Sequence, residues 1–516
     1  MMSSGAGESA SDLLVRLRSR GIKIWGDNGR LRYQAPKGSL THDDVEKLGA
    51  AKAALIELLQ QASPNEAVER QITPRLPSDR IPLTFTQKFW WTCLRLEKCP
   101  SMRSVAGAVH VTGQLSFKHI HQCFSELVRR HESLRTRIVT IDGVPWQVVD
   151  EPGEYHLECR DLGRSPVEEH AVQIRELVEQ LTHEPFSVAA GPLFTASLIK
   201  LGDKEHVLVV AMDHIISDAA SLGIVWREIL AMYAQSIQGR LPVFPHKSIQ
   251  FADYAVWQQR TNQSWKEQHE TYWRKRLTGA TRARALENDA MSATGCTGWR
   301  RQPVHFPESV TERLRTLCHE KKTSIAMITL TVYTAFLLRR SAAADIVIAF
   351  VTLGRPQPKL ENTIGYFSTS LFLRVEMPEG ASFFDVLDRV TEEYSTAYQH
   401  TDCGRVAAQH PTPEFAWNPR FNWIPREFAV DTENSQSGID SSISLRVEPY
   451  ELDVLPRDDI EWDGDFEMVT SAVKDQVSGF ICYRTDRFAA LSIERFARNF
   501  ELFAGQVVKK PWAPLP

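Results

Sequence analysis

The sequence lacks the cysteine spacing of a disulfide-stabilised or zinc-binding protein. Its eight cysteines are scattered over 516 residues and form neither a CxxC pair nor a cysteine-dense block. Small secreted scaffolds and structural zinc sites both depend on closely spaced cysteines. We therefore predict a reduced, intracellular protein that holds no metal ion.

The sequence also lacks a membrane-spanning segment and a secretory leader. The longest uncharged stretch, residues 323–338, has about 16 residues and several threonines, whereas a spanning helix needs roughly 20 apolar residues. The N-terminal segment MMSSGAGESASD has neither a basic region nor an apolar run. We predict a cytoplasmic protein in which residues 323–338 form a buried helix.

An excess of positive charge is absent as well. Lys and Arg number 60 against 64 Asp and Glu, which gives a formal net charge of −4. This balance argues against a protein that binds nucleic acid through its overall field. The chain has 43% hydrophobic and 24% charged residues, an ordinary globular composition. Its length predicts two to four domains of about 100 to 200 residues each.

Residues 11–61 are predicted to form a self-contained unit with the order helix, hairpin, helix. Leucines recur at helical spacing near its start. Two strand-like runs at 22–25 and 30–34 flank Asn28-Gly29, a pair that favours tight hairpin turns. A leucine-rich pattern predicts further helix over 40–59.

The hairpin region is strongly basic. Between residues 16 and 37 there are seven basic residues and one acid, Asp27. Such a run of charged residues commonly lies on the protein surface, exposed to solvent. A hairpin with an open edge and a cationic surface also suits an acidic peptide. The residues alone leave both interpretations open.

A linker and a larger α/β (α+β) body follow. Residues 62–80 contain three prolines and little apolar periodicity, which predicts a linker. From residue 81 strand-like and helical runs alternate, and a similar alternation returns after about residue 300. We predict two comparable lobes, 81–265 and 266–516, with a connector at the start of the second.

The most informative segment surrounds His214. An apolar strand ends at Met212, a short loop carries Asp213, His214 and Asp218, and a helix begins near residue 219. A His between a strand end and a helix start projects its imidazole into the adjoining crevice, as a general base requires. One HxxxD is expected by chance in such a chain, so a structural histidine is the alternative.

This segment resembles HHxxxDGxS, the core motif of the condensation domains of nonribosomal peptide synthetases. Five other segments are similar to motifs of the same family in order and spacing, and the likeness covers about residues 82–500. The matching segments are PLTFTQ at 82–87, RHESLRT at 130–136, DHIISDAAS at 213–221, FADYAVW at 251–257, IGYFSTSL at 364–371 and FNW at 421–423.

The resemblance implies two chloramphenicol-acetyltransferase-like lobes in a V-shaped pseudo-dimer with a tunnel between them. It implies that His214 orients or deprotonates a nucleophile that attacks an acyl thioester. Asp218 would hold the loop through a basic partner such as an Arg of the second lobe, and N–H groups near Ala219 would face the developing oxyanion. Asp213 and Ser221 complete the catalytic motif. The expected tunnel residues are Thr369, Ser370, Asn422 and Trp257, although Trp257 and Trp423 also suit a core position.

Two departures from the family pattern leave alternatives open. Asp213 stands where the family has its first His, and Ala219 stands where it has Gly. The spacing of Asp213, Asp218 and Ser221 fits DxxxxDxxS, the motif of heterocyclisation domains. The retained His214 and the other motifs favour condensation. A catalytically inactive scaffold that only docks carrier proteins is the other alternative.

Residues 21–38 resemble the β-hairpin docking domains of some synthetase subunits. This likeness implies that the hairpin binds an acidic C-terminal segment of an upstream subunit. The residues predicted to dock it are Lys23, Arg30, Arg32, Tyr33 and Lys37.

The layout of the chain predicts a free-standing enzyme. No adenylation, carrier or thioesterase pattern follows the last predicted helix. The acyl chain would arrive on the phosphopantetheine arm of a partner carrier protein, and no cofactor is expected to be bound. We expect release of the chain onto a small molecule, as an ester rather than an amide, because a hydroxyl gains more from a general base.

Overall fold

The structure is a computed structural model with an N-terminal hairpin unit and a larger α/β body. It describes residues 13, 17, 22–27, 30–34, 42–55, 71–77, 80–95, 104–183, 186–240, 249–280, 298–341, 344–355, 357–400, 419–424, 446–450, 466–473 and 476–516.

The N-terminal unit contains the predicted hairpin. Strand β1 (Lys23–Asp27) pairs antiparallel with β2 (Arg30–Gln34), and helix α1 (His42–Ala50) follows. The predicted turn pair Asn28-Gly29 lies outside the described residues. A small core of buried side chains holds the unit together: Leu13, Leu17, Ile22, Ile24, Leu48 and Leu55.

The body alternates strands and helices along its whole length. Its first half contains β3 (Ile81–Pro82), α2 (Phe85–Arg95), β4 (Ser104–Thr112), α3 (Phe117–Arg130), β5 (Thr136–Ile141), β6 (Val144–Val149), β7 (Glu158–Asp161), α4 (Val167–His183), β8 (Phe194–Gly202), β9 (Glu205–Asp213), α5 (Ala219–Ser236) and α6 (Phe251–Leu277). Its second half contains β10 (Trp299–His305), α7 (Glu308–Lys321), α8 (Ile325–Ser341), β11 (Asp345–Thr352), β12 (Thr369–Glu376), α9 (Phe383–Tyr398), β13 (Arg420–Ile424), β14 (Arg446–Tyr450), β15 (Phe466–Val473), β16 (Gln476–Arg484) and α10 (Ala490–Val507).

The first lobe is built on two sheets. One has the order β14-β4-β9-β8-β7 and the other the order β3-β6-β5. Every residue of β9 after Glu205 is buried. A strand that is covered on both faces needs a continuous apolar run, which residues 207–212 supply. This central strand delivers the loop that carries His214.

The second lobe is built on one six-stranded sheet with the order β10-β16-β15-β13-β11-β12. Helix α8 packs on it and is buried on all faces from Met327 to Leu338, which confirms the predicted buried helix. Among the helices of the described residues, none combines the length and apolarity needed to cross a membrane.

Two elements connect the lobes. Helix α6 begins beside Ile81 of the first lobe and ends with Trp273 and Leu277 in the core of the second. Strand β14 comes from the second half of the chain, yet it pairs antiparallel with β4. The predicted boundary at residue 265 therefore falls inside a continuous helix.

The C-terminal end of the predicted linker is packed on the body. Ile72 is buried, and its carbonyl oxygen accepts a hydrogen bond from Lys359 Nζ at 3.1 Å. Arg75 Nη1 lies 2.9 Å from carboxylate oxygens of both Glu132 and Asp253. Residues 71–77 thus contact both lobes before the first strand of the body begins.

Candidate active site

The loop between β9 and α5 is fixed by its own polar groups. Asp213 Oδ1 accepts from the N–H of Ile215 at 2.8 Å, and Ser217 Oγ donates to the carbonyl of Asp213 at 2.9 Å. Asp218 caps α5 by accepting from the N–H of Ser221, which satisfies a backbone donor of the first turn. Hydrogen bonds within residues 213–221 therefore contribute to the loop conformation.

The imidazole of His214 is held in one tautomer. Its Nδ1 lies 2.8 Å from the carbonyl oxygen of Ser217. A carbonyl can only accept, so Nδ1 carries the proton and Nε2 of the neutral ring carries a lone pair. The ring centroid lies 5.0 Å from that of Trp90 and 4.6 Å from that of Tyr366. Burial lowers the pKa of His214 below its ordinary value, which favours the neutral base.

Asp218 forms a buried ion pair with the second lobe. Arg355 Nη1 lies 2.9 Å from Asp218 Oδ2, and Arg355 Nη2 lies 3.0 Å from Oδ1. Both side chains are buried. Burial alone would raise the pKa of Asp218, but the charge and hydrogen bonds of Arg355 and the hydrogen bonds of Ser221 outweigh it, and the pKa is lowered. The carboxylate stays ionised and is fully engaged in support of the loop.

Ser221 ties the same loop to the IGYFSTSL segment. Its Oγ lies 2.7 Å from Asp218 Oδ1 and 3.1 Å from both the N and the O of Gly365. The N–H of Phe367 also donates to Asp218 Oδ2 at 3.2 Å. Two motifs that are about 150 residues apart therefore form one network across the lobes.

A cavity of about 170 Å³ lies beside this network. It is lined by His214, Asp218 and Ala219 of the loop and by residues from β11, β12, β13 and α2. Ala219 is an exposed residue that lines this cavity. Three predicted tunnel residues also line it: Thr369, Ser370 and Asn422.

Of the two tryptophans considered for the tunnel or the core, Trp257 lies outside the cavity and Trp423 lies on it. Trp257, predicted in the tunnel, does not line this cavity, because it stacks on Tyr254 at 5.7 Å and packs in an apolar cluster with Phe367. Trp423 does line the cavity, and it also packs against the core of the second lobe.

Asp213 and Ser221 share the motif but do not line the cavity. Both side chains are buried, and their hydrogen bonds shape the loop. Ala219 is the first residue of α5. Among the described residues, Asp142 and Lys322 are the non-glycine residues with positive φ, so Ala219 is not one of them. Its methyl group therefore introduces no backbone strain in place of glycine.

The sequence reasoning missed several residues of the cavity. Tyr366 and Trp90 enclose His214; the first lies within a family motif and the second lies shortly after one. Glu467 faces the cavity beside Arg420, with 3.9 Å between Oε1 and Nε. Burial raises the pKa of Glu467, and Arg420 partly offsets this. Only the register of β13 and β15, in which these two residues are partners, brings the pair together.

The RHESLRT and FADYAVW motifs support the fold outside the cavity. His131 Nε2 lies 2.9 Å from Glu228 Oε2, and Arg130 Nε lies 3.2 Å from the same oxygen. Asp253 accepts from the N–H of Arg75 at 3.0 Å and from its guanidinium. These motifs orient the helices around the site.

The docking residues are described only in part. Tyr33 lies in β2 with 47% of its surface exposed. Lys23, Arg30 and Arg32 lie in the paired strands, while their side chains, and all of Lys37, fall outside the described residues. Across the part of the chain that is described, no cluster of three or more His, Cys, Asp or Glu could hold a metal ion.

Two family models match the chain. The model described as Condensation domain covers residues 78–515, and the model described as TubC N-terminal docking domain covers residues 11–61. Both agree with the resemblances found in the sequence.

Curated relatives are much longer proteins. Bacitracin synthase 2 of Bacillus licheniformis is 27% identical over 402 residues, which cover 76% of this chain and 15% of that protein. Malpinin synthetase of Mortierella alpina is 28% identical over 445 residues, which cover 84% of this chain and 6% of that protein. The chain thus spans less than about a fifth of the length of the curated relatives it matches.

Solved structures share the fold. SgcC5 of Streptomyces globisporus has a TM-score of 0.67 at 25% identity, and the match covers 84% of this chain and 100% of that one. The condensation domain of the Monacolin K polyketide synthase MokA has a TM-score of 0.71 at 16% identity, with coverage of 85% and 99%. The predicted two-lobed α/β fold class is confirmed.

Proposed function

Because the chain belongs to the condensation domain family, a family of acyltransferases, we propose that it moves an acyl chain from a carrier protein to a small-molecule acceptor. The donor is a thioester on the phosphopantetheine arm of the carrier. The acceptor is a hydroxyl or an amine, and the product leaves as a released chain. An ester is the favoured product.

The observation that carries this proposal is the state of His214. Its Nδ1 is committed to the carbonyl of Ser217, so Nε2 is the basic atom of a ring that lines the cavity. The lowered pKa keeps the ring neutral near pH 7. A base in this state can take the proton of a nucleophile as it attacks the thioester carbon. When the C–S bond breaks, the same ring can return the proton to the departing thiolate, so that the carrier arm leaves as a free thiol.

We assign supporting roles to the neighbours of His214. Asp218 positions the loop through Arg355 and does not touch substrate. The first N–H groups of α5, beside Ala219, stabilise negative charge on the thioester oxygen, because the start of a helix offers unpaired donors and a positive dipole end. Thr369, Ser370 and Asn422 offer polar contacts to the acceptor.

A hydroxyl acceptor has support from chemistry and from a relative. A hydroxyl is a weaker nucleophile than an amine and gains more from a positioned general base. The crystal structure of SgcC5 is a complex with a naphthyl derivative of 1,2-ethanediol, a ligand with two hydroxyl groups. Both points favour an ester product for this chain.

Heterocyclisation is less well supported by the geometry. That alternative requires the carboxylates of Asp213 and Asp218 to take part in the reaction. Asp213 is buried away from the cavity and bonds its own loop, and Asp218 is held by Arg355. Asp213 therefore does not reach the cavity, and Asp218 lines it with a carboxylate already engaged by Arg355 and Ser221, so His214 is the better candidate to act on a substrate.

For the N-terminal unit we propose a docking role. The match to a docking-domain model and the basic run around β1 and β2 favour one kind of partner, the acidic C-terminal segment of an upstream synthase. The exposed Tyr33 offers it an aromatic contact. Such docking brings the loaded carrier to the catalytic body.

Intact-protein mass spectrometry of an acyl-loaded carrier tests the proposal. The carrier is incubated with the full chain and, in separate reactions, with small hydroxy acids and matched amino acids. Loss of the acyl group that requires a hydroxyl acceptor and His214 supports ester-forming release. Transfer only to amines overturns the ester assignment, and transfer only to a second loaded carrier overturns release onto a free molecule.

The scaffold alternative is tested by the same experiment. If the wild type binds the carrier but no acceptor removes the acyl group, the chain acts as a docking scaffold and the proposed activity is wrong. Carrier binding is measured separately by calorimetry, so that a failure to dock is distinguished from a failure to catalyse.

A further inference from the structure

A second cavity opens on the first lobe, apart from the candidate active site. It has a volume of about 530 Å³ and lies between α2, the start of β6 and α6. Cavities of this size commonly take small organic molecules. Among its lining residues Val256 is buried, which gives the cavity an apolar floor.

The charged residues of its wall are all cationic. Arg80, Lys88 and Arg260 line it, and none of the described lining residues is acidic. The chain as a whole is slightly negative, so this is a local concentration of positive charge. Such a concentration attracts an anion, and the planar guanidinium group is well suited to a carboxylate.

The apolar part of the wall is aromatic. Trp91 and Trp146 both line the cavity, and the guanidinium of Arg80 lies 5.7 Å from the centre of a Trp146 ring. Lys88 Nζ is positioned by Gln259 Oε1 at 3.2 Å. Indole faces bind flat rings by stacking, so the wall selects a planar body next to the cations.

The two cavities use opposite faces of α2. With about 3.6 residues per turn, the two sets of lining residues fall on opposite sides of the helix. A ligand in the second cavity therefore need not enter the first. The active-site cavity is lined by Thr86, Phe89 and Trp90, and the second by Lys88, Trp91 and Thr92.

We propose that this second cavity is a binding site for a small organic anion with a flat aromatic body, such as an arene carboxylate. The carboxylate lies among Arg80, Lys88 and Arg260, and the ring lies against the two tryptophans. The site is separate from the proposed acyl transfer and does not depend on it.

Calorimetric titration of the full chain with naphthalene-1-carboxylate tests the site. Saturable binding is expected, and the neutral naphthalene-1-carboxamide should bind at least about 10-fold more weakly, the loss expected when one charge-assisted contact is removed. Arg260→Glu should weaken carboxylate binding by a similar factor, and Trp146→Ala should weaken both ligands. The matched control is Arg498→Glu, the same charge reversal at an exposed position of α10, which should bind like the wild type.

Three results would overturn the site. They are no binding, equal affinity for acid and amide, and an affinity that Arg260→Glu leaves unchanged. Circular dichroism checks that each variant is folded, and Arg260→Gln replaces the Glu variant if that one unfolds. If the naphthalene acid fails to bind and an acidic peptide binds instead, the surface docks protein.

Discussion

The carbonyl oxygen of Ser217 lies 2.8 Å from Nδ1 of His214 in the same loop. This contact fixes the ring in the tautomer that leaves Nε2 basic. The loop itself is held by Asp218, which pairs with Arg355 of the second lobe. The orientation of the proposed base therefore depends on the contact between the lobes.

Replacement of the proposed base tests the chemistry directly. His214→Ala should lower the rate of acyl transfer by about 10²- to 10⁴-fold, the usual contribution of general-base catalysis, while carrier binding stays unchanged. The rate is followed by mass spectrometry of the loaded carrier. His319→Ala, at an exposed position of α7, should keep wild-type activity. A fully active His214→Ala variant would contradict the proposed role.

The pH profile should reflect the same histidine. A base works in its neutral form, so kcat/KM falls as the pH decreases through its pKa. Burial lowers the pKa of His214 from the ordinary value of 6.5, and we expect the acid limb of the profile to lie below pH 6.5. The profile is measured with a non-ionising acceptor alcohol. An acid limb above the ordinary value would contradict this environment.

The buried ion pair between Asp218 and Arg355 is expected to contribute strongly to the unfolding free energy. Arg355→Met leaves the carboxylate of Asp218 buried without its charge partner, which should cost about 3–5 kcal/mol of unfolding free energy. The cost is measured by urea denaturation. Asp218→Asn together with Arg355→Met should cost less than the sum of the two single changes, and strict additivity would argue against direct coupling.

The same ion pair makes stability depend on pH. Because the pKa of Asp218 is lowered, its contribution to the unfolding free energy is present above its unfolded pKa and is lost as the pH falls through its folded pKa.

Gly365 is placed where no side chain fits. A Cβ at this position would lie 2.1 Å from Phe251 Cδ2, so Gly365→Ala must displace a buried ring beside the Ser221 contact. We expect a loss of about 3 kcal/mol in stability together with lower activity. Gly153→Ala is the control, because its Cβ meets nothing within 4 Å. Equal melting temperatures for the two variants would contradict the close contact between Gly365 and the ring of Phe251.

The docking hairpin gives a prediction that is independent of catalysis. Reversing Arg30 and Arg32 to Glu should raise the dissociation constant for the upstream partner roughly 10-fold, or about 1.4 kcal/mol. The difference should shrink at high salt, because screening weakens charge attraction. Binding is measured by calorimetry at two ionic strengths. Lys509→Glu with Lys510→Glu, both exposed, is the control, and unchanged binding of the hairpin variant would refute the acidic-partner proposal.

Local patterns predict much of the fold. The strand-like runs predicted at 22–25 and 30–34 correspond to β1 (Lys23–Asp27) and β2 (Arg30–Gln34), because short alternating runs beside turn residues favour a hairpin. The uncharged stretch 323–338, predicted as a buried helix, corresponds to α8 (Ile325–Ser341). Strands β14 and β15 are missed by the same patterns. The polar alternation of β14 reveals nothing of its partner β4, which lies in the other half of the chain.

The sequence by itself determined the family, the hairpin unit and the loop that carries His214. These follow from short motifs and from hydrogen bonds among residues 213–221, which form within a few residues of each other. Only the tertiary structure decided which side chains share the cavity: it placed Trp423 there and Trp257 elsewhere, and it paired Glu467 with Arg420. The physical reason is that these contacts depend on strand register and on the packing of one lobe against the other, which no local spacing encodes.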